Sequence, residues 1–305
     1  LDQVIVAARD GGASADVLIQ RGFAARRYAG SKDRRAIRGL IYDAIRLCGE
    51  RPESGRAALL ALAARDAELA ATFHGSSYGP APIGANEAAA RAGVAPAWLM
   101  DALAASGIGA DQATALLDRA SLDLRVNTLK ASVAQVRATL PEAVPVDGVD
   151  AALRLPPDTP VEKTGPYTDG WIEVQDAGSQ IVTLAAGVQS GMRVVDLCAG
   201  GGGKTLALAA AMENRGELLA SDTDRPRLSR LMPRAERAGV SIVETRLLNP
   251  GHEAEPLADW AGTADTVLID APCSGTGTWR RNPEARWRLT PARLAKLVET
   301  QARLL

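Results

Sequence analysis

With 305 residues, 47% of them hydrophobic and 23% charged, the chain has the length and balance of two or three globular domains, and neither a disordered nor a fibrous composition. It has no apolar run long enough to cross a bilayer and no signal-peptide pattern at its start, and its three cysteines (Cys48, Cys198, Cys273) form no CxxC pair. These features predict a cytoplasmic protein with no membrane contact and no structural metal, and the net charge of −1 offers no global attraction to nucleic acid.

Local charge differs from the average. Residues 1–72 are alanine-rich and helical in pattern, with Ser31 as a predicted N-cap and Ile37, Leu40, Ile41, Ala44 and Ile45 on one face. Between Arg21 and Arg46 lie eight basic residues, Arg34, Arg35 and Arg38 among them, against two acidic ones. Such a face can neutralise phosphates, or it can be a solvated helix surface. GSSYGPAPIGA (75–85) reads as a linker, 86–118 as two helices, and 122–165 as a small strand–helix–strand unit broken by Pro156, Pro157 and Pro160. The expected domains are therefore 1–80, all α; 81–165, a helical connector with a small α/β subdomain; and 166–305, a doubly wound α/β core whose helix 176–187 precedes its first strand.

That first strand runs into VVDLCAGGGGKT (194–205), where Gly200, Gly201, Gly202 and Gly203 let the backbone approach a ligand closely and Lys204 and Thr205 open an apolar helix. A second strand ends at Asp222, a carboxylate placed to accept hydrogen bonds from a ribose diol. Together they predict a nucleoside-cofactor site. A P-loop requires a glycine where Cys198 stands, and no glycine follows Gly203 at the spacing of a dinucleotide fingerprint.

A third strand, TVLI, ends in Asp270-Ala271-Pro272-Cys273-Ser274-Gly275, a carboxylate and a thiol on a proline-fixed turn. After it come Arg280, Arg281, Arg286 and Arg288 with Trp279 and Trp287, a group able to grip phosphates and stack on unstacked bases, or alternatively to bury its indoles in a core.

The DAPCSG and DLCAGGGGKT motifs, with RRNPEARW (280–287), LRVNTLKAS (124–132) and WIEVQDAGSQIV (171–182), resemble the Sun/RsmB family of S-adenosylmethionine-dependent RNA 5-methylcytosine methyltransferases over well over half the chain. Gly200 and Gly201 replace the Ala-Pro of the family's DLCAAPGGKT. The resemblance implies a Rossmann-like class I methyltransferase core, with a sheet ordered 3-2-1-4-5-7-6. GSKDRRAIRGLIYDAIR (30–46) resembles the NusB-like RNA-binding domain at the front of bacterial members. Cofactor contacts are implied for Cys198, Ala199, Gly200, Gly201, Gly202, Gly203, Lys204, Asp222, Asp270 and, near the adenine where the family usually carries aspartate, Asn249. Implied RNA contacts are Arg34, Arg35, Arg38, Arg280 and Arg281, the RNA being ribosomal and of the small subunit, and the complete protein a monomer.

The chemistry explains the residue types. Carbon 5 of cytosine is a weak nucleophile, so a thiolate adds to carbon 6 to make an enamine, with Asp270 on the cytosine edge. In the family the attacking cysteine lies in a Thr-Cys-Ser motif beyond the DAPC cysteine, and the counterpart of Cys273 helps release the product. No Thr-Cys-Ser occurs in these residues, which end 32 positions after Cys273. The expectation is of a piece truncated at both ends, lacking the last strands and catalytically inactive by itself. Direct attack by Cys273, as in DNA cytosine-5 methyltransferases, is the alternative. A non-catalytic RNA-binding protein on the same fold and a P-loop hydrolase are the competing functions.

Overall fold

The computed structural model describes residues 1–77, 79–157 and 159–305. Tyr78, inside the segment read as a linker, and Asp158 lie outside the described residues. The chain divides into two units: a helical one (Leu1–Ala120 with Cys273–Glu299) and an α/β one (Ser121–Pro272 with Thr300–Leu305). Neither division falls where composition had drawn it. No helix among the described residues is long and apolar enough to cross a membrane.

The helical unit opens with α1 (Asp2–Asp10), α2 (Ala15–Ala24), α3 (Ser31–Leu47), α4 (Gly55–Ala63), α5 (Ala67–Ala71), α6 (Ala97–Ala105) and α7 (Ala110–Ala115). The cap of α3 is Gly30, one residue before the predicted Ser31, because Asp33 reaches back to accept the Gly30 N–H at 3.2 Å. Of the apolar face predicted on α3, Ala44 and Ile45 are fully buried, whereas Ile37 is exposed.

The α/β unit begins with a small antiparallel sheet: β1 (Leu122–Val126), helix α8 (Val133–Thr139), β2 (Val144–Val146), β3 (Val149–Leu155), short α9 (Gly165–Thr168) and β4 (Ile172–Val174), in the order β2-β3-β1-β4. In β1 the period-2 alternation puts Leu124 and Val126 into an apolar core with Val136 of α8, and sends Asp123 and Arg125 to the other face. That second face is buried as well, under α10 (Ala177–Ala185), and its polar groups are paired in part: Arg154 forks onto Asp123 and Arg125 donates Nε to Gln175 at 2.7 Å, while Arg125 Nη2 and Gln175 Nε2 have no hydrogen-bond partner among the described residues. The expected strand–helix–strand unit 122–165 thus gains a fourth strand, because Ile172–Val174 pairs back onto β1. A boundary at 166 cuts through this sheet.

After α10 come β5 (Arg193–Leu197), α11 (Gly203–Ala211), β6 (Glu217–Asp222), α12 (Arg225–Leu228), α13 (Leu231–Ala238), β7 (Val243–Leu247) and β8 (Thr266–Ile269). The four strands are parallel in the order β7-β6-β5-β8. In order of appearance that is 3-2-1-4, the first part of the predicted sheet. The order reverses between β5 and β8, so the crevice at their carboxyl ends is the place for a ligand.

The LRVNTLK segment fastens the small sheet to α13. Asn127 Nδ2 donates to the Gly170 and Ala238 carbonyls, both at 2.8 Å, and Lys130 Nζ donates to the Asp169 and Arg237 carbonyls at 3.0 and 2.7 Å. A cation and an amide thereby satisfy carbonyls left open at the end of α13.

The chain returns to the helical unit at Cys273, forming α14 (Ala285–Arg288) and then α15 (Pro291–Leu304), whose last residues belong to the α/β unit. Here the sequence expectation needs correction. Trp279 and Arg286 are fully buried and Trp287 nearly so, leaving no indole face for a base. Arg286 donates to the Ile45 and Cys48 carbonyls at 2.6 and 2.8 Å, at the end of α3, and Trp287 Nε1 donates to the Cys48 and Gly49 carbonyls. Glu284 accepts the Ala15 N–H at the start of α2 at 2.9 Å. The segment thus sets a carboxylate at a helix N-terminus and a guanidinium at a helix C-terminus, each favoured by the helix dipole.

Gly170 provides the sharpest test of the joint. It has φ +74°, and an added Cβ would lie 2.0 Å from the Arg237 carbonyl oxygen. Gly170→Ala is expected to lose roughly 2–5 kcal/mol, backbone strain plus overpacking. Gly187→Ala, at φ +61° with open space around it, should lose only about 1 kcal/mol. Urea unfolding of both variants checks this, and equal losses would remove the joint as the cause.

Candidate functional site

The carboxyl ends of β5, β6 and β8 bring most of the predicted site together. Asp222, at the end of β6, is nearly buried; its Oδ2 accepts the Gly200 N–H and its Oδ1 the Asp224 N–H, both at 2.7 Å. Each oxygen retains a further lone pair, a suitable arrangement for two vicinal hydroxyls.

The loop after β5 is drawn in by β6 and α13. Cys198 and Ala199 donate their N–H groups to the Ser221 carbonyl at 2.9 and 2.8 Å, and Cys198 holds φ +83°, an uncommon value for a residue with a side chain. Two glycines have specific causes. Gly202 sits at φ +86°, where a Cβ would meet Leu231 at 2.6 Å, and Gly200 sits at φ +56° against the guanidinium of Arg227. Gly203 opens α11, whose first-turn N–H groups lack intrahelical partners by position.

Charge around this loop is mainly negative. The Cys198 thiol is pushed up to about 11, first by burial and then by Asp222, Asp196, Asp270 and Glu253. Asp196, fully buried in β5, accepts from Thr205 Oγ1 at 2.6 Å, while its Oδ1 is buried with no partner. Burial outweighs that hydrogen bond and pushes its carboxyl up to about 6. Of the cations in reach, Lys204 is bound at 2.6 Å to Asp270 Oδ2, Arg234 pairs with Glu173 and Arg227 lies against Gly200, while Glu253 is bound to Arg303. No group of three or more metal-ligating side chains is arranged for a metal among the described residues.

Of the remaining predicted residues, Asp270 joins this cluster through Lys204 and the others do not. Asn249 is exposed just past β7 and accepts the His252 N–H through its carbonyl. Asp270 is half-exposed, and the turn after it is held where Gln301 Nε2 donates to the Pro272 carbonyl at 2.8 Å. Cys273 belongs to the helical unit and is exposed. In the same unit Arg34 donates to the Ala29 carbonyl at 2.8 Å, Arg38 pairs with Asp16 at 2.7 Å, and Arg280 reaches the Arg119 carbonyl at 3.3 Å; Arg35, Arg280 and Arg281 are exposed. Sequence reading missed Glu173, Arg227 and Arg234, which touch the loop or its supports from other elements. Nothing in their local sequence marks them, since only the folded sheet brings them there.

Residues 183–305 match the family profile described as 16S rRNA methyltransferase RsmB/F. The chain is 37% identical over 193 residues to the probable ribosomal RNA small subunit methyltransferase B of Synechocystis, a match covering 61% of this chain and 42% of that protein. It is 36% identical over 156 residues to the ribosomal RNA small subunit methyltransferase B of Citrobacter koseri, covering 50% of this chain and 35% of that one. The chain thus spans less than half the length of these relatives. Among solved structures, PH0851 superposes with a TM-score of 0.70 at 24% identity, covering 99% of this chain and 80% of that one. NSun6 from Pyrococcus horikoshii, solved with SFG, superposes at 0.59 and 16% identity, covering 68% and 78%. Both likenesses concern the fold.

The charge arrangement has a chemical consequence at Cys198. With its ionisation pushed up to about 11, roughly one thiol in a thousand is thiolate at pH 8, and the thiolate is the reactive form. Iodoacetamide at pH 8 is expected to label exposed Cys273 and spare Cys198, whose labelling should then rise about tenfold per pH unit until pH 11. Mass spectrometry of the alkylated peptides reads this out, and comparable labelling of both at pH 8 would contradict the raised ionisation that burial and the carboxylates impose on Cys198.

Proposed function

We propose that this chain, whose residues 183–305 belong to the RsmB/F family of methyltransferases, acts in S-adenosylmethionine-dependent methylation of carbon 5 of a cytosine in small-subunit ribosomal RNA. The observation that carries the reading is the charge of the crevice: Asp196, Asp222, Asp270 and Glu253 lie about the glycine loop against Lys204, Arg227 and Arg234, of which Lys204 is neutralised by Asp270 and Arg234 by Glu173. A sulfonium nucleoside with an ammonium group suits that field, whereas a polyphosphate is repelled by it. This favours a methyl donor over the nucleotide of a P-loop hydrolase.

The residues present fit the cofactor. Asp222 offers two oxygens to a ribose, and the open first-turn N–H groups of α11 suit a carboxylate. The unpartnered Oδ1 of Asp196 suits a cationic or N–H donor. When bound, S-adenosylmethionine supplies an electrophilic methyl group. Backbone N–H groups and carbonyls of residues 198–204 would hold it, and Asn249 would lie toward the adenine.

Asp270 accepts Lys204 on Oδ2 and presents Oδ1 to the cytosine edge, where it accepts from the exocyclic amino group. Cys273 follows three residues later and assists product release once a thiolate from a Thr-Cys-Ser segment has added to carbon 6. The helical unit, whose residues 1–80 are NusB-like by resemblance, contributes phosphate contacts through the exposed Arg35, Arg280 and Arg281, through Arg38 by exchanging its exposed partner Asp16, worth little in water, and through Arg34 by releasing the Ala29 carbonyl. The setting is the cytoplasm, and the complete protein works as a monomer.

Calorimetric titration separates the readings. S-adenosylmethionine is expected to bind more tightly than ATP, and Asp222→Ala to weaken it by about 1–3 kcal/mol, the cost of buried polar groups left unpaired. Preference for ATP would sink the assignment.

The role of Cys273 is read by electrophoresis. In protein carrying the Thr-Cys-Ser segment, Cys273→Ala should accumulate a covalent protein–RNA adduct that survives denaturing gels. If Cys273 were itself the attacking group, the same substitution would abolish adduct and methylation together.

A further inference from the structure

The four-glycine loop raises a physical question, since consecutive glycines lose more conformational entropy on ordering than any other residues. Where the family carries Ala-Pro, this chain carries Gly200-Gly201, so stiffness must come from outside the loop. Two guanidiniums lie against those positions. A Cβ on Gly200 would come within 2.4 Å of Arg227 Nη2, and one on Gly201 within 3.4 Å of Arg234 Nη1. Arg234 also donates Nη1 to the Gly201 carbonyl and Nη2 to Glu173 Oε2 at 2.7 Å.

Glu173 lies on β4, only 3% exposed at its side chain, and faces Arg125 across the β1–β4 ladder. A buried carboxylate demands a cation. Arg237 already meets that demand: it pairs with Glu173 Oε1 while its guanidinium covers the Tyr167 ring at 4.1 Å. The second cation is therefore surplus to neutralising Glu173. What Arg234 adds is the bond to Gly201, which ties the glycine loop to the small antiparallel sheet.

We propose that Arg234, anchored by Glu173, is a positioning residue that holds the Gly200-Gly201 segment, through the Gly201 carbonyl, in its ligand-accepting form, taking the place of the family's Ala-Pro. This rests on the reading of 198–204 as the cofactor loop. With the Gly201 carbonyl turned to Arg234, the Gly202 N–H bonds back to the Ala199 carbonyl at 2.9 Å and the Gly200 N–H reaches Asp222, so the loop arrives at Asp222 already shaped.

The contrast of Arg234→Met with Arg237→Met tests this, because both pair with Glu173 and only Arg234 touches the loop. In ligand-free protein, hydrogen exchange of a peptide covering 198–206 should speed up about tenfold in Arg234→Met, with the β1–β4 ladder unchanged, and hardly at all in Arg237→Met. S-adenosylmethionine affinity should fall about tenfold in the first variant and less than about threefold in the second. Arg234→Lys keeps a charge for Glu173 but has no fork to reach both acceptors, so it should follow Arg234→Met and covers the case in which the methionine variant fails to fold. Unchanged loop exchange in Arg234→Lys, or equal losses in the Arg234 and Arg237 variants, would overturn the proposal. If the loop exchange changes as expected but the wild-type protein binds no S-adenosylmethionine, the cofactor reading falls and the anchoring stands.

Discussion

The Asp222 residue is the tie on which the ligand end of the α/β unit depends. Its two carboxylate oxygens accept N–H groups from the glycine loop and from the turn into α12, and its backbone carbonyl accepts the Leu248 N–H just past β7. One residue therefore sets the spacing of three segments that would otherwise leave the sheet independently. Because an ionised carboxylate is acceptor-only and each oxygen can take more than one donor, the bonds that order the loops leave the group able to receive hydroxyls. Structural tie and binding group are thus the same atoms.

The second constraint is electrostatic. Asp196 is buried beside Asp222 and Asp270, and its ionised form is disfavoured there, with the carboxyl pushed up to about 6. A folded-state value above the unfolded one means that this group supports stability at low pH and costs stability as pH rises through about 6. The site is therefore least comfortable without a positive partner in the neutral range, where a cationic ligand has most to offer.

Much of the site was legible from sequence, because its signals are local. Glycines at the end of an apolar strand, a carboxylate closing the next strand and the DAPC turn are read within a few residues, and the order of the first four strands is the one that the family resemblance implies. What escaped was non-local. Nothing in WIEV announces that Ile172–Val174 pairs with β1 and not with the parallel sheet, since the partner lies far back in the chain. The pattern RRNPEARW looked like a basic, aromatic surface, yet Arg286 and Trp287 satisfy carbonyls at the end of α3. An arginine that caps a helix from a distant segment has the same sequence as one that waits for a phosphate. Glu173 and Arg234 were invisible for the same reason.

The return of the chain to the helical unit at Cys273 governs how that unit can be made. Trp287 is part of its main apolar cluster with Val4, Ile5, Ile19 and Ile45, and Glu284 and Arg286 complete the ends of α2 and α3. During vectorial synthesis residues 1–120 leave the ribosome before these groups exist, and the intervening α/β segment must be accommodated as a closed loop before they can dock. The helices of residues 1–120 therefore wait, with an unfilled core, for a segment translated after the α/β residues that separate them, so they are made before that α/β segment and completed after it.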